Sequence, residues 1–217
     1  MDIEVFFDPV FHIVVHNMFD EETENRIFEE VIENKDSFEQ AKIGKGYSRR
    51  EKDFRSNTVL YYDEIFRNKR NESVLLEAIE KAFKDKKIRE MLNSSPYPLS
   101  EFGNTNQHEV QVSRYGDDGQ KYKWHIDDGA STGIRKLTMV HYFGEHNYKG
   151  GELQFTNSPI YNGKTIIKKP EIKTIKPKNN MTVFFGGNTP HRVMPTKSSK
   201  VFEKGRFSVN CWVGYRK

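Results

Sequence analysis

Histidine and aspartate stand two residues apart in His125-Ile126-Asp127, and on an extended chain residues i and i+2 face the same side. The imidazole and the carboxylate can therefore converge on one point. The pair follows Tyr122-Lys123-Trp124 and precedes an Asp128-Gly129 turn. A second histidine, His191, lies in Gly186-Gly187-Asn188-Thr189-Pro190-His191-Arg192-Val193, directly after the apolar run Val183-Phe184-Phe185. Glycine and proline punctuate the turn that would place it at the mouth of a barrel. Two histidines and one carboxylate make a facial triad, the donor set that holds Fe(II) and leaves coordination positions open. A structural zinc site normally takes four protein ligands, and a fourth is not on offer around these positions.

The next candidate is Arg206-Phe207-Ser208-Val209-Asn210-Cys211-Trp212-Val213. Strand alternation places Arg206, Ser208, Asn210 and Trp212 on one face and Phe207, Val209, Cys211 and Val213 on the other. An arginine heading a polar face inside a small β-fold needs an anion, because burying an unpaired guanidinium is costly. A dicarboxylate would supply one, gripped bidentately. The competing reading is an ordinary amphipathic strand with Arg206 in solvent.

These residues must be held by a scaffold, and the chain divides into two characters. Residues 2–19 alternate loosely and read as strands. Asp20 reads as an N-cap, followed by Glu21, Glu22 and Glu24 and the apolar stripe Ile27, Phe28, Val31 and Ile32 of a helix that fades near Lys35. Gly44 and Gly46 mark a loop, and a strand covers Asn57 to Tyr61. A second helix carries Val74, Leu75, Ala78, Ile79, Ala82 and Phe83, with Asn71 or Ser73 as its cap, and it ends before Ser95-Pro96-Tyr97-Pro98. After residue 105 come short β-rich runs: His108–Tyr115, Lys136–Phe143, Glu152–Phe155, Thr165–Lys168, Met181–Phe185 and Phe207–Val213. Such spacing predicts a sandwich or barrel braced by two helices.

Composition bounds the rest. The 217 residues suffice for one sizeable core and are short for two domains. A net charge of +4 permits an anionic partner without demanding one, and a dedicated nucleic-acid module would be more lopsided. The single cysteine, Cys211, excludes an intramolecular disulfide framework and a cysteine-based zinc site, and fits a reducing compartment. Asp2, Glu4 and Asp8 fall where a signal peptide would be basic and then apolar, and no apolar run approaches a membrane span. The expectation is a soluble, cytoplasmic protein with a single domain over residues 1–217. Residues 1–104 would give helical support and outer strands, and 105–217 a catalytic β-core.

Taken together, the motifs over residues 108–214 resemble the Fe(II)/2-oxoglutarate-dependent dioxygenases, most closely their prolyl 4-hydroxylase-like branch. The likeness is an ordered set. Tyr115 opens Tyr115-Gly116-Asp117-Asp118-Gly119-Gln120-Lys121-Tyr122, ten residues before His125. Arg135 to Phe143 matches a strand ending in a tyrosine, here Tyr142. Tyr148-Lys149-Gly150-Gly151-Glu152-Leu153-Gln154-Phe155 resembles a GGxLxxF segment, His191-Arg192-Val193-Met194-Pro195 an HxVxP segment, and Arg206 stands six residues before Trp212.

The resemblance implies an α+β fold: a double-stranded β-helix (jelly-roll, cupin-like) core with supporting N-terminal helices. It implies that His125, Asp127 and His191 bind Fe(II), and that Arg206 binds the distal carboxylate of 2-oxoglutarate, with Tyr115 and Tyr142 as hydroxyl partners and Ser208 a further candidate. O2 and 2-oxoglutarate would be converted to succinate and CO2 as the substrate is hydroxylated, with ascorbate as an accessory reductant. The implied substrate is a protein or peptide side chain, proline first. Alternatives are a free amino acid or other small molecule, an AlkB-like nucleic-acid demethylase, and a non-catalytic cupin-like binding module. The demethylase reading is weakened because Trp212 and Ser113 stand where those relatives carry a second arginine and an asparagine. The binding-module reading is weakened because all four key residues are kept.

The chain departs from the pattern in one place. The longer spacing from His191 to Arg206 implies an extended loop around Thr196-Lys197-Ser198-Ser199-Lys200 beside the site. Lys200 and Lys204 are rival carboxylate binders, but their distance from Trp212 disagrees with the strand register, which favours Arg206. His12, His16 and His108 show no partner pattern, while His141 and His146 flank the motif region and could be mistaken for ligands. His141 neighbours Tyr142 on a strand and so faces away from it. By the same alternation Arg114 points away from Tyr115. Trp124 and Trp212 would line a substrate channel or simply pack. Gly163–Lys178 is lysine-rich and reads as a solvated hairpin guarding a sheet edge, with a basic flap as the alternative.

Overall fold

The computed structural model describes residues 1–43, 51–96, 108–117, 119–128, 134–145, 147–162 and 165–215. The loop at Gly44 and Gly46, His146, Gly129, the Tyr97-Pro98 pair and the Gly163-Lys164 tip lie outside the described residues.

Strands β1 (Asp2–Phe6) and β2 (His12–His16) pair antiparallel, Ile3 opposite Val15. Helix α1 (Glu21–Glu33) begins as expected at Asp20, whose carboxylate accepts from the Thr23 N–H at 2.7 Å, with Glu21, Glu22 and Glu24 in the first turn. Strands β3 (Glu39–Gln40) and β4 (Thr58–Tyr61) and the one-turn helix α2 (Tyr62–Ile65) follow. The second expected helix is two: α3 (Val74–Lys84) and α4 (Lys86–Asn93). Asp85 leaves the helical conformation and uses its side chain to accept from the Ile88 N–H at 3.1 Å, a local bond that competes with helix continuation. Ser73 caps α3, accepting from Leu76 at 3.2 Å. The Glu30 carboxylate of α1 also accepts from the Ser73 hydroxyl at 2.9 Å and the Val74 N–H at 2.6 Å. A negative charge at the start of α3 thus ties the two long helices together.

The remaining strands are β5 (His108–Tyr115), β6 (Gln120–His125), β7 (Ile134–Phe143), β8 (Lys149–Gly150), β9 (Leu153–Thr156), β10 (Ile160–Asn162), β11 (Thr165–Lys168), β12 (Ile172–Ile175), β13 (Met181–Gly186), β14 (His191–Lys197) and β15 (Arg206–Tyr215). The major sheet runs β1-β2-β13-β7-β15-β5-β4-β3 and the minor sheet β12-β9-β14-β6, with β8 paired to β14. The sheets pack face to face as a jelly roll: Val14, Val140, Tyr142 and Val183 of the major sheet cluster with Leu153, Phe155 and Ile175 of the minor one.

The other face of the major sheet packs on the helices, where Leu75, Ile79 and Phe83 of α3 join Met139, Phe184, Phe207, Val209 and Cys211 in one core. Odd residues of β15 therefore face the helices and even ones face the interior between the sheets, the period-two pattern expected.

Two expectations need correction or sharpening. Thr196 and Lys197 are not loop: β14 continues through them, pairing Thr196 with Gly150 and Lys197 with Lys149, because β8 offers its edge there. Only the following segment leaves the sheet, through a 3-10 turn at Phe202–Lys204. Arg114 pins that turn, donating to the carbonyls of Phe202 at 2.9 Å and Val201 at 3.1 Å, and so does face away from Tyr115. The lysine-rich stretch forms the β10–β11 hairpin and then β12, the edge strand of the minor sheet. None of the described helices is long and apolar enough to cross a membrane.

Candidate active site

Two strand ends meet at one mouth of the jelly roll. His125 ends β6, Asp127 lies two residues beyond it, and His191 opens β14, directly opposite His125 in the antiparallel register. Gly187 secures the carboxylate's position, because its carbonyl accepts the N–H groups of Asp127 at 2.9 Å and Asp128 at 2.8 Å. Gly187 must itself be glycine, since an added Cβ would lie 2.0 Å from the Arg135 carbonyl oxygen. The ligand-capable atoms of His125, Asp127 and His191 all lie within 4.8 Å of one another. The Nε2 atoms of His125 and His191 stand 3.7 and 3.5 Å from the two Asp127 oxygens.

The surroundings suit these side chains to a metal. Each histidine places Nδ1 2.8 Å from a backbone carbonyl, Lys123 for His125 and Thr189 for His191. That contact puts the proton on Nδ1 and turns the Nε2 lone pair inward. Burial, reinforced by the neighbouring His191, holds the His125 imidazole well below its ordinary pKa, so the neutral, ligating form prevails. Burial pushes the Asp127 carboxyl up, but His191, His125, the Thr138 hydroxyl and Trp212 outweigh it and hold it below its ordinary value. Thr138 donates to Asp127 Oδ2 at 2.7 Å. Two neutral imidazoles and one carboxylate, each oriented from behind, fit a divalent first-row metal with open positions.

The triad opens into a pocket lined among others by Tyr115, Tyr142, Arg206, Ser208, Asn210 and Trp212. Arg206 is 1% exposed and the largest of the fully buried side chains. Its Nε donates to the Gly151 carbonyl at 3.0 Å, Nη1 lies 3.4 Å from the Ser208 hydroxyl, and its guanidinium carbon sits 4.8 and 5.0 Å from the ring centres of Tyr115 and Tyr142. No carboxylate pairs with it among the described residues. Lys200 and Lys204 are both exposed, which removes them as rivals.

Gly150 and Gly151 adopt φ of 74° and 70°, and a Cβ on Gly151 would fall 2.7 Å from Arg206 Cδ. Gly151 is therefore the wall against which the arginine lies, while a Cβ on Gly150 would meet the Pro195 carbonyl oxygen at 2.2 Å. Burial raises the Tyr115 and Tyr142 hydroxyls, and that of Tyr148 to about 12, against the pull of Arg206, so all three remain protonated donors.

All six expected site residues thus meet in one cavity, with Ser208 and Trp212 beside them. Trp124 does not line it; its ring lies under the Arg192 guanidinium at 4.5 Å. Thr138 and Arg55 went unassigned in the sequence. Thr138 was findable, since it lies on the same strand face as Tyr142, four residues away. Arg55 carried no local signal: it reaches the pocket because the segment before β4 crosses β6, with the Lys123 N–H on the Phe54 carbonyl at 2.9 Å and a bridge from Arg55 to Tyr122. Three further histidines are placed elsewhere. His12 stacks on Phe6 at 4.7 Å, His16 meets Glu4 at 3.0 Å, and His141 lies on the opposite face of the sheet.

Comparison with known proteins places this geometry. Residues 110–214 match the sequence profile described as the 2OG-Fe(II) oxygenase superfamily. No curated protein sequence compared with the chain gives a match. Among solved structures, the chain is similar to a prolyl hydroxylase from Trichoplax adhaerens, solved with a hypoxia inducible factor oxygen degradation domain peptide. The TM-score is 0.65 at 15% identity, over 94% of this chain and 83% of that one. It is similar to a prolyl-4-hydroxylase from Pseudomonas putida with TM-score 0.61 and 16% identity, over 95% of this chain and 93% of that one. It is also similar to the epimerase SnoN, solved with Fe3+, alpha ketoglutarate and nogalamycin RO, with TM-score 0.57 and 11% identity, over 95% and 81%. At these identities the structural likeness establishes the fold, a double-stranded β-helix.

Proposed function

We propose that this chain, which belongs through residues 110–214 to the 2OG-Fe(II) oxygenase superfamily and is thus a dioxygenase using Fe(II), 2-oxoglutarate and O2, hydroxylates a protein or peptide side chain, proline being the first to test. One observation carries the reading. The metal-ready triad and a fully buried arginine without a carboxylate partner open into the same pocket, as a reaction needing iron and a dicarboxylate requires.

His125, Asp127 and His191 would hold the iron, and Arg206 the distal carboxylate of 2-oxoglutarate. When bound, the metal and co-substrate supply the oxidising chemistry, splitting 2-oxoglutarate to succinate and CO2 as O2 is consumed. The protein's part is orientation. Arg206, fixed by Gly151 and Ser208, presents charged donors to a carboxylate, and the protonated Tyr115 and Tyr142 add neutral ones on either side. Thr138 holds Asp127 in place, leaving the other oxygen for the metal.

The peptide reading draws support from the prolyl hydroxylase neighbours, one of them solved with a peptide. A small-molecule substrate is the second reading, supported by the likeness to SnoN, solved with nogalamycin RO. The test is succinate formation from 2-oxoglutarate with Fe(II), ascorbate and O2, comparing proline-containing peptides, free amino acids and methylated single-stranded oligonucleotides. Stimulation by peptides with a mass gain of one oxygen supports the proposal. Stimulation by free amino acids alone moves the substrate to the second reading, and stimulation by oligonucleotides alone overturns both.

A further inference from the structure

The pocket holds a second buried arginine that the reaction as described does not use. Arg55 is 5% exposed and lines the same cavity as His125, Asp127 and Arg206. It lies flat over Tyr122, 4.5 Å from the ring centre, and Tyr122 stacks in turn on His125 with ring centres 3.5 Å apart. Its hydrogen bonds go only to neutral oxygens: Nε donates to Asn57 Oδ1 at 3.0 Å and Nη2 to Gln111 Oε1 at 2.7 Å. Among the described residues no acidic side chain pairs with it.

Two arguments say that an anion is missing from this corner. The first is local. Arginine is a donor only, so Gln111 must turn its oxygen toward Arg55, and its amide nitrogen is left buried without a partner. The corner is rich in donors and poor in acceptors, and a buried guanidinium served only by neutral groups is costly. The second is the charge of the loaded site. Iron and doubly anionic 2-oxoglutarate cancel each other, and Asp127 cancels Arg206. With the histidines neutral as metal ligands, Arg55 leaves one positive charge in excess that no described residue balances, and the incoming substrate is the component that can.

We propose that Arg55 binds a carboxylate carried by the substrate itself, so that the pocket accepts molecules presenting an anionic oxygen near the C–H bond to be oxidised. This deepens the hydroxylase reading above and rests on it. A free amino acid would offer its α-carboxylate, and a peptide an aspartate or glutamate beside the target residue; both present the same chemistry to Arg55.

Matched pairs separate these sources. Binding is measured by calorimetry, without O2, to protein loaded with Fe(II) and 2-oxoglutarate. The pairs are L-proline against L-prolinamide, and proline peptides with neighbouring aspartate against the same peptides with asparagine. The acid member of at least one pair is expected to bind about tenfold or more tightly, since charge-assisted bonds in a buried site are the strong ones. Arg55→Gln should abolish that preference and Arg55→Lys should keep part of it, which guards against a variant that merely unfolds.

The assignment is overturned if no pair shows a preference for the acid, or if the preference survives in Arg55→Gln. It is also overturned if Arg55→Gln loses affinity for 2-oxoglutarate to the same degree, which would give the arginine to the co-substrate. Turnover of neutral peptides without acid preference would sink this proposal and leave the hydroxylase reading standing. Preferential acid binding lost in Arg55→Gln, with no turnover of any member, would do the reverse.

Discussion

Histidine faces carboxylate on both sides of the major sheet, with opposite consequences. On the helix side, His141 of β7 places Nε2 2.8 Å from Glu24 of α1 and Nδ1 2.8 Å from the Thr182 hydroxyl, with Phe19 edge-on at 4.9 Å. Both ring nitrogens face a polar atom at 2.8 Å, both residues are buried, and the contact joins α1 to the sheet. On the inner side, His125 and His191 stand 3.7 and 3.5 Å from Asp127, beyond hydrogen-bond reach, with Nε2 facing an open pocket. The residue types are the same. What separates fastening from chemistry is whether the ring nitrogens face a buried neighbour or an open pocket, and that is set by placement: His141 on the helix side of β7 in the major sheet, His125 and His191 on β6 and β14 of the minor one.

The comparison breaks most sharply by removing a donor from each side. His125→Ala should abolish iron binding and 2-oxoglutarate turnover, a loss beyond the roughly 10–100-fold that an outer-shell partner costs. His141→Ala should leave iron stoichiometry intact, which a Co(II) titration of both variants would check. Arg206→Ala should raise the 2-oxoglutarate KM about 30-fold or more, because it removes the charged partner of a buried carboxylate; an unchanged KM would remove Arg206 from the co-substrate site.

Thr138→Val removes only the donor behind Asp127 and should lower iron affinity by about 10–100-fold with stability little changed. On the helix side, Glu24→Gln should cost about 1–3 kcal/mol in urea unfolding, the range for disturbing a buried polar group, while turnover persists in the folded fraction. If Glu24→Gln instead weakened iron binding, the two faces would be coupled rather than separate.

Much of this architecture was legible in the chain. Helix α1 and strands β5, β7, β13 and β15 fall where apolar periodicity put them, because each buries one regular face or both. The division at Asp85 was not legible, since the apolar stripe ends just before it and the break depends on which bond the Asp85 carboxylate makes. Nor was the true extent of β14, because Thr196 and Lys197 carry no strand pattern of their own and are ordered by the edge that β8 presents. In the site, each triad residue sat in a motif where neighbouring positions restrict what the side chain can do. Arg55 had no motif and entered only through a chain crossing.

The sequence by itself determined the donor set, two histidines, an aspartate and an arginine, together with the strand faces they occupy, because both follow from residue type and a period of two. Only the tertiary structure decided that the β6 and β14 ends lie opposite each other, that Gly151 makes room for Arg206, and that Arg55 shares the cavity with no counter-charge among the described residues. These are distances between segments far apart in the chain, set by how the sheets pack, and no local pattern of residues encodes them.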